Sequence, residues 1–164
     1  MNYIHIDKAS ISNGIGFRVV LWCAGCTLRC KGCHNPQAQD FNAGKPFDEK
    51  AKAFLFEQLS KPYIKGITFS GGHPLEDENK NKVHHLCKEI KKNFPTKDIW
   101  LYTGYTLEDL PSYAILEYVD VLVDGPYIEE QRDITLPFRG SKNQRLIDVK
   151  ETLKQGQIIQ YKIN

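Results

Sequence analysis

Four of the five cysteines of this 164-residue chain lie within a span of eleven residues. Cys26, Cys30 and Cys33 follow the spacing C-x3-C-x2-C, and Cys23 precedes them by three residues. Thiolates spaced this closely can converge on one soft metal centre. They are too local for the disulfide framework of a secreted scaffold. The segment therefore predicts a site for a metal ion or a metal cluster.

Three kinds of site are compatible with clustered cysteines. A structural zinc site usually draws on two ligand pairs separated by roughly 12–20 residues, so this compact segment fits it poorly. A four-cysteine electron-transfer cluster usually has the run C-x2-C-x2-C-x3-C-P, whereas here the spacing differs and His34 follows Cys33. A cube of iron and sulfur held by three cysteines leaves one iron open to a substrate or cofactor. Cys23 decides between three ligands and four.

Cys23 ends a predicted strand over residues 17–23, in which every second side chain points to the same face. This alternation groups Cys23 with Val19 and Leu21 and predicts a buried thiol, because free cysteine is among the most buried side chains. Cys87 lies on the apolar stripe of a predicted helix and receives the same interpretation. The pattern favours three ligands over four.

The composition is that of an ordinary globular protein, with 41% hydrophobic and 26% charged residues, and the length predicts a single domain over residues 1–164. A net charge of +2 gives no indication of a nucleic-acid or lipid surface. We expect no membrane association, because the N-terminus has no signal-peptide pattern and no apolar run approaches about 18 residues. The sequence thus predicts a cytoplasmic protein, in which clustered thiols stay reduced.

Strands and helices alternate along the predicted chain. Strands are predicted at 17–23, 63–69, 98–103 and 119–123, with weaker terminal strands at 146–149 and 158–163. Helices are predicted over 48–60, 77–93 and 107–118. This alternation implies right-handed crossovers and a parallel sheet, which binds ligands at the carboxyl ends of its strands. The segments expected to meet there are the cysteine segment, 70–74, 103–105 and 124–127.

The spacing Cys26-x3-Cys30-x2-Cys33 is the signature of radical S-adenosylmethionine (SAM) enzymes. Within them, the chain resembles the activating proteins of anaerobic (class III) ribonucleotide reductases. The motifs that carry the resemblance are NGIG at 13–16, SGG at 70–72, DIW at 98–100, TGY at 103–105, VLVDG at 121–125 and RGSKNQR at 139–145. The resemblance implies an α/β fold of the radical SAM type, a partial, open TIM-like barrel of parallel strands with flanking helices. A complete barrel takes about 250 residues, so the open side of a shorter one suits a protein substrate.

The resemblance also implies a ligand set and a cofactor. The catalytic residues, which ligate a [4Fe–4S] cluster whose fourth iron binds SAM, would be Cys26, Cys30 and Cys33. The residues that resemble the family's SAM contacts are Gly32, Cys33, His34, Gly71 and Gly72. The last two look like the glycine pair whose bare backbone approaches the methionyl amino group.

His73 is the clearest departure, because the family usually has an acidic residue after the two glycines. We expect backbone groups to hold the SAM ammonium there, so that His73→Asp leaves SAM affinity unchanged or improved. Other residues lie on matching motifs without an individual role: Thr103, Tyr105, Asp124 and Arg139.

As a function, the resemblance implies reductive cleavage of SAM to methionine and a 5′-deoxyadenosyl radical. That radical would abstract hydrogen from a glycine of the anaerobic ribonucleoside-triphosphate reductase. The implied partners are this reductase, a one-electron donor such as flavodoxin, and a second copy of the chain within a hetero-oligomer. Two alternatives stay open: an activating enzyme of another glycyl-radical enzyme of the pyruvate formate-lyase type, and a non-catalytic four-cysteine iron–sulfur or zinc protein.

Overall fold

The computed structural model describes residues 1–163, which form a seven-stranded sheet with flanking helices. The strands are β1 (Asn2–Ser10), β2 (Phe17–Cys23), β3 (Lys45–Pro46), β4 (Ile64–Gly71), β5 (Asp98–Tyr102), β6 (Val121–Asp124) and β7 (Arg145–Asp148). The α-helices are α1 (Glu49–Leu59), α2 (Asp77–Asn93) and α3 (Val149–Gln155). Short 3-10 helices lie at Pro36–Gln39, Leu107–Asp109, Ala114–Glu117 and Glu129–Gln131.

The strand order is β3-β1-β2-β4-β5-β6-β7. β2, β4, β5 and β6 are parallel to one another and are the strands predicted at 17–23, 63–69, 98–103 and 119–123, while β7 corresponds to the weaker strand predicted at 146–149. β1 and β3 on one side and β7 on the other pair antiparallel, so the sheet is mixed and open. The assignment to a partial TIM-like barrel of the radical SAM type stays a prediction.

The sheet separates two cores, because side chains alternate between its faces. Ile99 and Leu101 of β5 belong to the larger core, which includes the apolar residues of α1 and α2. Trp100, between them in sequence, belongs to a smaller core on the opposite face. That face is covered by residues outside the helices, namely Ile15, Phe138 and Tyr161. Loops rather than helices therefore shape the face on which Trp22 and Tyr102 lie.

The two long helices begin and end within a residue of their predicted bounds. The Asp48 side chain accepts the N–H of Ala51 at 2.9 Å and caps α1. In α2 the predicted apolar stripe is buried at Val83, Leu86 and Cys87. Local capping and periodicity determine these two helices.

Two other predicted elements were wrong. Residues 107–118 form two 3-10 turns instead of a helix, because Pro111 lies between them and has no amide hydrogen to donate. Residues 158–163 form no named strand, and Gln160 makes a single bridge to Ile147. β1 and β3 were missed because β1 alternates poorly between apolar and polar residues and gains its hydrogen bonds from distant parts of the chain.

Arg18 fills the loop-covered face near the start of β2. Its side chain is fully buried, donates from Nε to Thr68 Oγ1 at 2.9 Å, and lies 5.2 Å from the Trp100 ring. Burial lowers the pKa of Arg18, and the ion pair with Asp98 partly opposes that shift. The Arg18 side chain occupies the amino-terminal half of the face, so the space for a ligand lies toward the carboxyl ends of the strands.

No helix within residues 1–163 is both long enough and apolar enough to cross a bilayer.

Candidate functional site

A cavity of about 160 Å³ lies at the carboxyl ends of the parallel strands. Its walls come from the cysteine segment, residues 70–73, residues 102–104, and Gly125, Tyr127 and Gln144. The four strand-end segments predicted from the sequence thus meet around one space. A second cavity of about 390 Å³ shares His34, Ser70 and Tyr102 with the first and extends toward Trp22 and Arg139. We call the first the inner cavity and the second the outer cavity. Together the two cavities form one open cleft.

The cysteine segment turns back on itself so that all three cysteines of the C-x3-C-x2-C spacing line the inner cavity. Two residues in left-handed conformation make this turn, Arg29 at φ 50° and Gly32 at φ 72°. The Cys33 amide donates to the Cys30 carbonyl at 3.2 Å and closes it. The predicted ligands Cys26, Cys30 and Cys33 are therefore brought together by local backbone geometry.

Backbone N–H groups point at the cysteine sulfurs. Leu28 and Arg29 hydrogen-bond the Cys26 sulfur, and the Asn35 amide donates to Cys33 Sγ at 3.4 Å. Burial raises the pKa of Cys26 despite these hydrogen bonds. A metal ion bound to this sulfur would favour the thiolate.

No three His, Cys, Asp or Glu side chains within residues 1–163 converge as ligands of a single metal ion. In an iron–sulfur cube each cysteine binds a different iron, so the ligands need to surround a common space and not to meet at one point. Cys26, Cys30 and Cys33 surround the inner cavity in this way.

Cys23 and Cys87 lie in the helix-covered core, and both are fully buried. Burial raises the pKa of Cys23 to about 12. The strand alternation predicted this orientation, and the structure confirms it. Cys23 is not among the residues that line the cavity, whereas Cys26, Cys30 and Cys33 are.

The two predicted glycines line the cavity, and the packing of the chain itself also requires them to be glycine. Gly71 has a φ of 106°, and a Cβ there would overlap the backbone of Cys23. A Cβ on Gly72 would overlap the backbone oxygens of Gly25 and Ala38. The Gly72 amide also donates to the Cys23 carbonyl at 2.8 Å. The bare backbone lets the cysteine segment lie directly on the end of β4.

His73 is buried and hydrogen-bonded at both ring nitrogens. Nδ1 lies 3.2 Å from Glu76 Oε1, and Nε2 lies 2.9 Å from Thr103 Oγ1. Burial lowers the pKa of His73, and the Glu76 carboxylate only partly opposes this. His73→Asp would place a second carboxylate against the buried Glu76 carboxylate. We therefore now expect this substitution to destabilise the site, contrary to the expectation from the sequence.

The remaining two predicted contacts, His34 and Gly32, differ in position. The His34 ring lines both cavities and packs edge to face on Tyr127, with ring centroids 5.1 Å apart. Gly32 does not line the cavity, since it faces the Glu129 side chain, which would overlap a Cβ at this position. The sequence did not single out Tyr127 as an individual contact; its ring packs the segment after β6 against His34, and its hydroxyl donates to the Glu129 carboxylate.

The comparisons with known proteins agree with one another. A family model described as a 4Fe-4S single cluster domain matches residues 12–147. The chain is 42% identical to the anaerobic ribonucleoside-triphosphate reductase-activating protein of Enterobacteria phage T4, over 89% of this chain and 93% of that one. The chain belongs to this family of activating proteins. The same-named proteins of Pasteurella multocida and Escherichia coli K12 are 41% and 36% identical, each over 88% of this chain and 95% and 96% of their own.

Membership in the activating-protein family confirms the resemblance predicted from the motifs. The matched segment runs from the loop before β2 into β7 and contains every residue of the inner cavity. It supports an iron–sulfur cluster as the cofactor of the domain. The activating proteins thus share the part of the chain that builds this cleft.

Proposed function

We propose that this chain activates an anaerobic ribonucleoside-triphosphate reductase by generating a glycyl radical on it. It would use SAM and a [4Fe–4S] cluster ligated by Cys26, Cys30 and Cys33. The observation that carries the proposal is that these cysteines and the Gly71-Gly72 pair line one cavity in a member of the activating-protein family.

The donor set fits such a cluster. Three thiols face one space, and N–H groups are aimed at two of the sulfurs, Cys26 and Cys33. Hydrogen bonds of this kind stabilise iron-bound thiolates and tune the reduction potential. With Cys23 in the opposite core, the chain offers three ligands and leaves one iron for the substrate.

When bound, the cluster would supply the electron that splits SAM into methionine and a 5′-deoxyadenosyl radical, which takes a hydrogen atom from a glycine of the reductase. The residues of this chain would bind and orient SAM. Gly71 and Gly72 present bare backbone at the wall proposed for the methionyl amino group. Cys33 and His34 lie at the wall proposed for the adenine, where the His34 ring offers a flat apolar surface.

The outer cavity offers a donor to a bound ligand. Arg139 Nε is buried and has no hydrogen-bond partner within residues 1–163. A carbonyl or carboxylate oxygen of SAM or of the incoming peptide would satisfy it. No Asp or Glu of the described residues lines either cavity, so the cleft does not repel a carboxylate.

The open sheet supports the rest of the proposal. We take the fold as a partial barrel of the radical SAM type, whose loop-covered face holds the cleft and whose open side admits a glycine-bearing segment of the reductase. Entry of that segment would help to exclude water from the radical. A one-electron donor such as flavodoxin and a second copy of the chain are the further proposed partners.

The decisive experiment mixes the reconstituted protein, SAM and a reductant with the reductase of the same source under anaerobic conditions. We expect the EPR doublet of a glycyl radical to appear on the reductase, dependent on SAM. If the addition of SAM does not change the EPR signal of the reduced cluster, the proposal is overturned. A doublet on pyruvate formate-lyase and none on the reductase would assign the activity to that other enzyme class.

A further inference from the structure

The buried Glu76 carboxylate holds Thr27, the residue that follows the proposed ligand Cys26. Glu76 is 6% exposed, and its Oε1 accepts the Thr27 amide at 2.8 Å and the Thr27 hydroxyl at 2.9 Å. The same oxygen lies 3.2 Å from His73 Nδ1. These three donors are what a desolvated carboxylate requires to stay ionised.

The hydrogen bonds on the other side of His73 determine its tautomer. The Gly104 amide approaches Nε2 at 3.4 Å, so Nε2 is an acceptor. Thr103 Oγ1 accepts the Tyr105 amide at 3.1 Å and is free to donate its hydrogen to Nε2 at 2.9 Å. Nδ1 therefore carries the proton and donates it to Glu76.

Hydrogen bonds of this network hold the residues on both sides of Cys26, which are Gly25 and Thr27. On the amino side, the His73 amide donates to the Gly25 carbonyl at 2.8 Å. On the carboxyl side, the Thr27 amide and hydroxyl both donate to the Glu76 side chain. Since His73 directly follows Gly72, its backbone amide links the glycine turn to Gly25, and its ring links the turn through Glu76 to Thr27.

We propose that Glu76 and His73 form a positioning pair that fixes Cys26 against the Gly71-Gly72 turn, and so sets the electrostatics of the cluster and its alignment with SAM. The inference rests on the proposed function. The Glu76 carboxylate lies 2.8 Å from the amide of Thr27, the residue next to Cys26, so it also places a negative charge beside the proposed cluster site. A negative charge near a redox centre disfavours its reduction.

The test compares Glu76→Gln with Glu78→Gln in the reconstituted protein. Both remove one charge at the start of α2, Glu76 from the N-cap and Glu78 from the first turn, but Glu78 is exposed. Two quantities are measured: the midpoint potential by EPR-monitored titration without SAM, and the dissociation constant of SAM by equilibrium dialysis. We expect Glu76→Gln to shift the potential to a more positive value, because a negative charge is removed, and to weaken SAM binding several-fold, because the hydrogen bonds to Oε1 become neutral and weaker. Glu78→Gln should change neither.

A second pair of variants tests the His73 link and decides the question if Glu76→Gln fails to fold. The amide of His73→Asn lies where Nδ1 does and can still donate to Glu76, whereas that of His73→Gln lies where Nε2 does and cannot. We expect His73→Gln to weaken SAM binding several-fold more than His73→Asn.

Equal midpoint potentials and equal SAM affinities for Glu76→Gln and Glu78→Gln would overturn the proposed positioning pair. If Glu76→Gln does not fold, an equal loss of SAM affinity in His73→Asn and His73→Gln would overturn it. A wild-type cluster that does not respond to SAM would instead contradict the proposed function. The potentials, which are measured without SAM, would still test the pair in that case.

Discussion

Cys23 and Cys26 lie three residues apart in sequence, yet they face different environments. Cys23 is the last residue of β2 and points into the core under the helices, whereas Cys26 follows a tight turn at Gly25 and lines the cleft. Burial raises the pKa of both thiols, but only Cys26 has backbone N–H groups aimed at its sulfur. The position of the sulfur, and not the spacing alone, separates a ligand from a core residue.

Single substitutions of the cysteines should therefore have different effects. Cys23→Ala is expected to lower the free energy of unfolding by about 1–2 kcal/mol through a small core cavity, while retaining iron. Cys30→Ala is expected to lose the cluster, because a half-buried ligand is removed without affecting the core. Iron and sulfide content after anaerobic reconstitution, with thermal unfolding of both variants, checks this. Loss of the cluster in Cys23→Ala would show that four cysteines are required.

His73 should make stability depend on pH. Its pKa is lowered by burial, so the folded protein resists protonation there while the unfolded chain protonates below about pH 6.5. The contribution is fully present above that pH and is lost as the pH falls toward the folded-state pKa. The slope is at most about 1.4 kcal/mol per pH unit. Glu76, whose pKa is also lowered, affects stability only at lower pH.

Urea unfolding of the reconstituted protein between pH 7.5 and pH 5.5 measures this dependence. The wild type is expected to lose more stability over this range than His73→Asn. His85→Asn, at an exposed position of α2, should behave like the wild type. Identical pH slopes in the wild type and His73→Asn would contradict the explanation.

At the scale of elements, the end of β4 and the cysteine segment depend on each other. Gly71 and Gly72 allow the backbone of residues 23–25 to lie against the strand end, and two amide hydrogen bonds follow from that contact. The helix α2 begins just beyond and supplies Asn79, whose Nδ2 donates to the Ala24 carbonyl at 2.9 Å. The segment is thereby held by a strand end and by a helix start.

Gly72→Ala should therefore be more damaging than Gly104→Ala, although both glycines line the cavity. The new methyl group of Gly72→Ala overlaps backbone oxygens that cannot move without displacing the cysteine segment. We expect a loss of about 1–3 kcal/mol in the free energy of unfolding. At Gly104 the methyl group meets only the flexible Leu28 side chain, so the loss should be smaller. Equal losses in thermal or urea unfolding would contradict this account.

At the scale of the whole molecule, the sheet has one helix-covered face and one loop-covered face, and the latter is divided along the strands. Arg18, Thr68 and Trp100 fill the amino-terminal half, so the cleft is confined to the carboxyl ends. Asp98 supplies the counter-charge of the buried guanidinium. This ion pair joins the start of β2 to the start of β5 across β4.

Asp98→Asn should destabilise the protein by about 3 kcal/mol, because it leaves the Arg18 charge buried without a partner. Glu130→Gln, which breaks the exposed ion pair with Lys31, should have little effect. Chemical denaturation of the two variants beside the wild type tests the contrast. A loss in Asp98→Asn no greater than that in Glu130→Gln would show that Arg18 is sufficiently stabilised by carbonyl groups.

The sequence by itself determined the features that depend on local chemistry and periodicity. The C-x3-C-x2-C spacing, the four parallel strands and the helices α1 and α2 follow from short-range patterns, and the burial of Cys23 follows from strand alternation. The motifs spread along the chain likewise identified the family.

Only the tertiary structure decided the features that depend on pairs distant in sequence. β1 and β3, which the sequence did not predict, gain their hydrogen bonds from distant parts of the chain, and the antiparallel direction of β7 follows from its pairing with β6. The expectation for His73→Asp changed because the His73 ring is buried and its two nitrogens hydrogen-bond Glu76 and Thr103. Burial and partners, which no single stretch of sequence contains, determine what a polar side chain can do.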